Sequence, residues 1–174
     1  VQPVPDLAHV EMFVCLGSNP LVSQMSVVQV ADAAGVLRRI EERGGRVVVV
    51  DPRRTETARR VGEHVAIRPG TDAYLLAAML HVVTREVGVD LAPARAVARG
   101  VDDFVAAGAP WSPERAEAVT GVPAATIREL ATAYAAADGA ALYCSTGVNM
   151  GPFGSICSRC AMRARKAGRA WARS

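Results

Sequence analysis

The stretch that decides the fold is RVVVVDPRRTETA, residues 46–58. Four consecutive valines make a short, very apolar strand. The strand runs directly into Asp51, Pro52, Arg53, Arg54 and Thr55. In an open parallel α/β sheet, ligands sit beyond the carboxyl ends of the strands. A buried strand that ends in an acid, two guanidinium groups and a hydroxyl therefore puts charge and hydrogen-bonding groups where a ligand belongs.

Working outward, VEMFVCL (10–16) reads as a second buried strand and GSNP (17–20) as a turn. Val27, Val30, Ala31, Ala34, Leu37 and Ile40 are spaced for a helix over 26–43, which Gly44 and Gly45 stop. After the valine strand come the polar turn with a short helix, then a short strand and loop in HVAIRPGTD (64–72). Thr71 or Asp72 caps an apolar helix of about 73–87. The resulting β-α-β-β-α order predicts an α/β fold, a Rossmann-like, doubly wound, mostly parallel sheet with flanking helices. Residues 88–138 read as helical, with Ser112 as a cap, Pro113 at a first helical position and Pro123 near the start of a longer helix. ALYCSTG (141–147) returns to strand, and VNMGPFG (148–154) is a glycine-bearing loop.

A length of 174 residues suits one domain with one real core, and 51% hydrophobic with 21% charged residues is ordinary globular composition. The net charge of +3 owes much to the last dozen residues, so charge does not point to nucleic acid. No run of about 20 apolar residues predicts a membrane span. No signal peptide is visible, so a cytoplasmic location is expected, with a periplasmic parent as the alternative. Val1 is not an initiator Met and the first strand follows almost at once, as in a piece of a longer protein. Cys15 and Cys144 read as small core residues, and Cys157 with Cys160 forms a CxxC without a second pair, weak support for zinc or redox chemistry.

The four polar loops, GSNP, DPRRTET, RPGTD and STGVNMGPFG, share a chemistry that suits a nucleotide. Backbone N–H groups near Gly17 and Ser18 can meet phosphate oxygens. Asp51 can take ribose hydroxyls or a base N–H, and Arg53 can bond phosphate. Asp72 can accept from both the N1–H and the exocyclic amine of guanine, and Gly70 lets backbone approach the base. Neither GxGxxG nor GxxxxGK[ST] occurs in the sequence.

In order and spacing, EMFVCLGSNPLVS, LRRIEERGGRVVVVDPRRTETA, HVAIRPGTDAYLLAAMLHVV, WSPERAEAVTGVPAATIRELATAYAAA and YCSTGVNMGPFG resemble the molybdopterin oxidoreductase family, over about residues 7–155. The resemblance implies one cofactor-binding α/β domain (1–155) of a bis(molybdopterin guanine dinucleotide) enzyme of the formate dehydrogenase, nitrate reductase or dimethyl sulfoxide reductase type. By that likeness Asn19 lies against the cofactor, and Asp51, Arg53 and Thr55 face the guanosine and its phosphates. Gly70 and Asp72 read guanine, and Thr146, Gly147 and Asn149 approach from the last strand's loop. The implied cofactor is molybdopterin guanine dinucleotide, with molybdenum, and in many relatives an iron–sulfur cluster, carried elsewhere in the parent. The implied partners are the remaining domains of that oxidoreductase or its electron-transfer subunits. No catalytic residue or metal ligand in this chain matches the family, so the chain alone is expected to be inactive. The basic tail, 156–174, departs from the pattern and reads as out-of-frame translation or a disordered extension. Two other readings are a stand-alone nucleotide-binding α/β module and a helix-turn-helix DNA binder built on PERAEAVTGVPAATIRELATAYA. In the second, the three acids Glu114, Glu117 and Glu129 stand against the two bases Arg115 and Arg128.

Overall fold

A computed structural model describes residues 6–23, 30 and 32–151. Its sheet consists of β1 (Met12–Leu16), β2 (Arg46–Val50), β3 (Glu63–Val65) and β4 (Ala140–Cys144), all parallel, in the order β3-β2-β1-β4. Every residue of β1 is buried, because β1 has a neighbour on each side and helices on each face. This is why neither β1 nor the valines of β2 alternate with polar residues. The expectation of a doubly wound parallel α/β domain is met.

Side chains alternate across the sheet and build two cores. On one face Phe13, Cys15 and Val47 meet Leu37 and Ile40 of α2 (Ala33–Glu42), together with Tyr143. On the other, Met12, Val14, Leu16, Val48 and Val50 meet α4 (Asp72–His81), α7 (Pro113–Thr120) and α8 (Ala124–Ala136). Ile127, Leu130, Ala131 and Tyr134 give α8 the inward stripe that an amphipathic helix requires. The thiol of Cys15 is pushed up to about 12 by burial and is a neutral core group, as the sequence suggests.

Smaller elements complete the chain: α1 (Pro20–Ser23), α3 (Glu56–Arg60), α5 (Ala92–Val97), α6 (Val101–Gly108) and α9 (Thr146–Asn149). Ser112 Oγ caps α7 by accepting from Arg115 N at 3.3 Å, and Pro113 opens that helix, as expected. The helix expected over 73–87 starts one residue earlier and ends as a π turn over Val82–Glu86. Thr71 stands at its cap position, but its hydroxyl donates to Arg68 O (2.7 Å) instead of accepting from the helix.

Two boundaries are corrected. The last strand ends at Cys144, and Thr146–Asn149 turns into α9 instead of extending the strand to 147, because β1, its partner, itself ends at Leu16. The helix expected over 26–43 is seen over Ala33–Glu42, with Asp32 as its cap, and residues 24–29 and 31 lie outside the described set. So do the CxxC and the whole 156–174 tail. No described helix is long and apolar enough to cross a membrane. The helix-turn-helix candidate, α7–Gly121–α8, is part of the sheet's cover, and Arg128 is held by Glu86 (2.9 Å) and Glu114 (2.6 Å).

Leu37 is fully buried and is the centre of the contact between α2 and the sheet. Leu37→Ala is expected to cost about 2–5 kcal/mol. Urea unfolding measures this as a lower midpoint, and a loss below about 1 kcal/mol would show that α2 is not anchored there.

Candidate functional site

The parallel register brings the strand exits level. Leu16 lies opposite both Val50 and Cys144, and Val50 lies opposite Val65. The backbone carries the alignment one step further: Gly17 N donates to Val50 O (3.0 Å), Asp51 N to Val65 O (3.2 Å) and Ser145 N to Leu16 O (3.3 Å). The loops after β1, β2 and β4 therefore rise from one edge. The chain runs from β1 outward to β2 and β3, then crosses back to β4 on the other side of β1. That change of direction is the position at which such sheets bind ligands.

At this switch point the two exits touch. Gly147 N donates to Gly17 O at 3.1 Å. A Cβ on Gly147 would stand 2.7 Å from Gly17 O, and one on Gly17 would stand 2.9 Å from Val148 N. Gly17 also has φ +55°, a conformation that side chains disfavour. Next to it, Ser18 Oγ is buried without a hydrogen-bond partner among the described residues. Thr146 and Asn149 are exposed on α9, and Asn149 Nδ2 reaches Cys144 O at 3.5 Å.

The turn after β2 is self-organised. Asp51 Oδ1 accepts from Arg53 N (2.9 Å), and His64 Nε2 bonds Asp51 O (2.9 Å). Thr55 is buried and caps α3 by accepting from Ala58 N at 3.3 Å. Arg53 is exposed, with Nη2 3.7 Å from Glu56 Oε2. Asn19 reaches across to this turn: Nδ2 donates to Glu56 Oε2 (2.6 Å), while Oδ1 accepts from Thr57 N (3.2 Å) and Thr57 Oγ1 (2.8 Å). Its own backbone N–H, and then Asn19, hold the Glu56 carboxyl below its ordinary value.

The third loop is braced from behind. Arg68 donates through Nη1 to Ala118 O (2.7 Å) and Val119 O (3.1 Å), and its N–H donates to Thr120 O (2.8 Å). Carbonyls at the end of α7 thus hold the loop that carries Gly70, which has φ +75° and open space where a Cβ would stand. Asp72 follows in the first turn of α4 and is buried. Burial pushes its carboxyl up, its own backbone N–H opposes this, and the charge of Asp51 adds to the rise. Among the described residues no basic side chain forms an ion pair with Asp72.

The sequence pattern of the molybdopterin oxidoreductase family matches residues 2–110. This chain belongs to that family. It is 31% identical over 145 residues to formate dehydrogenase H of Escherichia coli, covering 83% of this chain and 19% of that protein. It is 32% identical over 150 residues to dimethyl sulfoxide reductase DmsA of Escherichia coli, covering 72% and 18%. Among solved structures, acetylene hydratase from Pelobacter acetylenicus matches with a TM-score of 0.76 and 22% identity, over 91% of this chain and 21% of that one, which bears on the fold alone. The chain therefore spans about a fifth of the length of these relatives.

Within this molybdopterin oxidoreductase domain, the expected residues fall into two groups. Gly17, Ser18, Asn19, Asp51, Arg53, Thr55, Thr146, Gly147 and Asn149 lie on the loops at the level exits of β1, β2 and β4. Gly70 and Asp72 come from the braced loop after β3, and Asp72 lies within electrostatic reach of Asp51. The sequence reading passed over Glu56 and Thr57. Their signal is present, since Thr-Glu-Thr beside a strand exit offers four side-chain oxygens close to a capped turn, but burial of Thr57 is a tertiary fact.

The raised Asp72 carboxyl has a consequence for stability. Above its folded value the carboxylate bears the full cost of desolvation; below the ordinary unfolded value both states are protonated and the cost is gone. Asp72→Asn is therefore expected to raise the melting temperature near neutral pH, with the gain shrinking as pH falls through the carboxylate range. Thermal unfolding across pH checks this, and a destabilised variant near neutral pH would show that the charge is compensated.

Proposed function

We infer that this chain is the part of a molybdenum oxidoreductase that binds the guanine nucleotide end of a molybdopterin guanine dinucleotide. The observation that carries this reading is Asp72, a buried carboxylate without an ion-pair partner among the described residues, at a strand-exit edge that also bears Arg53. A buried carboxylate that costs stability is explained when a ligand supplies its hydrogen bonds. Guanine offers two adjacent donors, N1–H and the exocyclic amine, to one carboxylate. Adenine presents an acceptor at N1.

The other groups fit the same ligand. Arg53 is exposed and can bond phosphate oxygens. Ser18 Oγ is an unpartnered buried hydroxyl at the switch point, able to donate to the ligand. Asp51 is half-buried and can accept from ribose hydroxyls, and the open space at Gly70 lets the base lie against backbone. Thr146, Gly147 and Asn149 bound the crevice from the β4 side. When bound, the cofactor's molybdenum supplies the two-electron chemistry. These residues bind and orient its nucleotide end, and the family's substrate site, metal ligand and electron-transfer partners belong to the rest of the parent enzyme.

The test is calorimetric titration of the 174-residue chain with guanosine and adenosine diphosphates. Guanosine diphosphate is expected to bind at least about tenfold tighter, since one charged hydrogen bond is worth about that factor. Asp72→Asn should remove the preference. Arg53→Ala should weaken both nucleotides about equally and flatten the salt dependence. Equal binding of the two nucleotides, or a preference that survives Asp72→Asn, would overturn this reading.

A further inference from the structure

The exits of β1 and β2 are joined by a side-chain knot. A carboxamide has one acceptor oxygen with two lone pairs and one nitrogen with two hydrogens. Thr57 N–H can only donate, which fixes Oδ1 of Asn19 toward Thr57 and Nδ2 toward Glu56. Oδ1 takes both the N–H (3.2 Å) and the hydroxyl (2.8 Å) of Thr57, so both of its lone pairs are used. The Thr57 hydroxyl in turn accepts from Leu21 N at 3.1 Å, so it both donates and accepts within the knot. Thr57 is fully buried. Glu56, the third member, receives Asn19 Nδ2 at 2.6 Å and lies 3.7 Å from Arg53 Nη2.

From this geometry we propose that Asn19 is a positioning residue: it ties the loop after β1 to the turn after β2 and so sets the arrangement of Ser18 and Arg53 around the nucleotide. The proposal rests on the nucleotide reading above for its function, though not for its geometry. Asn19 and Thr57 stand 38 positions apart in sequence, and the knot joins their loops beyond the end of the β1–β2 ladder. A ligand cannot take Oδ1 of Asn19 without displacing a buried Thr57 hydroxyl and N–H, which would then be unpaired. Asn suits the position because it joins an acceptor and a donor on a short stem. Asp at 19 would lose the donor and face the Glu56 carboxylate, and Ala would lose both bonds.

Thr57 makes the proposal decidable, because a fully buried side chain cannot touch the nucleotide. The full chain is titrated with guanosine diphosphate as wild type, Asn19→Ala, Thr57→Val, the double variant and Thr57→Ser, and backbone amide exchange over residues 53–58 is followed without nucleotide. Asn19→Ala and Thr57→Val should each weaken binding by about tenfold, and the double variant by no more than the worse single one. Thr57→Ser, which keeps the hydroxyl, should bind as wild type. Without nucleotide, both single variants should lose exchange protection over 53–58.

Loss of affinity in Asn19→Ala alone, with Thr57→Val binding as wild type, would make Asn19 a direct ligand contact and overturn the proposal. So would multiplicative losses in the double variant, or unchanged exchange protection in both singles. If the wild-type chain binds no guanosine diphosphate, the nucleotide reading fails and the exchange comparison alone decides whether the tie exists. Should Asn19→Ala not fold, Thr57→Val is read against its Thr57→Ser control, with loss of affinity and of protection expected in Thr57→Val alone.

Discussion

The in-register parallel pairing of β1 with β2 and β4 governs everything else in this molecule. Five residues of β1 pair on both sides at once, with Leu16 facing Val50 on one flank and Cys144 on the other. Parallel strands have no tight turn to fix their offset, so burial sets it. A slip of one residue would exchange the two cores, carrying Phe13 and Cys15 from the α2 face to the α4 face. Because the register holds, three chain exits emerge at one height. The polar loops are then a consequence of where apolar strands stop, and the candidate site is the rim of the core.

That rim divides its work between rigid and costly parts. The contact of Gly17 with Gly147, the Asn19–Thr57 knot, the Thr55 cap and the Arg68 brace are all satisfied within the protein. Asp72 and Ser18 Oγ are different: one is a buried carboxyl pushed upward, the other a buried hydroxyl without a partner among the described residues. Groups of this kind cost stability until something pairs them. Side chains paired within the protein thus surround one hydroxyl without a partner among the described residues and one carboxyl without an ion-pair partner among them.

The central part of the fold was legible because its signals are local. Four valines with no alternation mean a strand covered on both faces, and Ser112-Pro113 with Gly121 delimits α7 without reference to anything distant. The end of β4 was not legible in the same way. Ser145, Thr146 and Gly147 suit a loop as well as a strand end, and the ladder with β1 runs no further than Leu16 and Cys144. Likewise Thr71 has a capping side chain by composition, yet its hydroxyl turns back to Arg68. Both outcomes are decided by partners far from, or behind, the residue concerned.

Asn19 shows the same limit at the site itself. In sequence it stands in a glycine-led turn beside a serine, where an amide side chain is as well suited to a ligand as to a neighbour. Its partners lie 37 and 38 residues away, in a segment whose charged residues draw attention to Arg53 and Asp51 and away from Thr57. Once the sheet register brings the two loops together, hydrogen-bond capacity decides between the roles. Both lone pairs of Oδ1 are filled by one buried threonine, and the hydroxyl of that threonine accepts in turn from Leu21 N. A polar residue at a functional rim whose acceptor oxygen is filled from inside acts through the groups it holds.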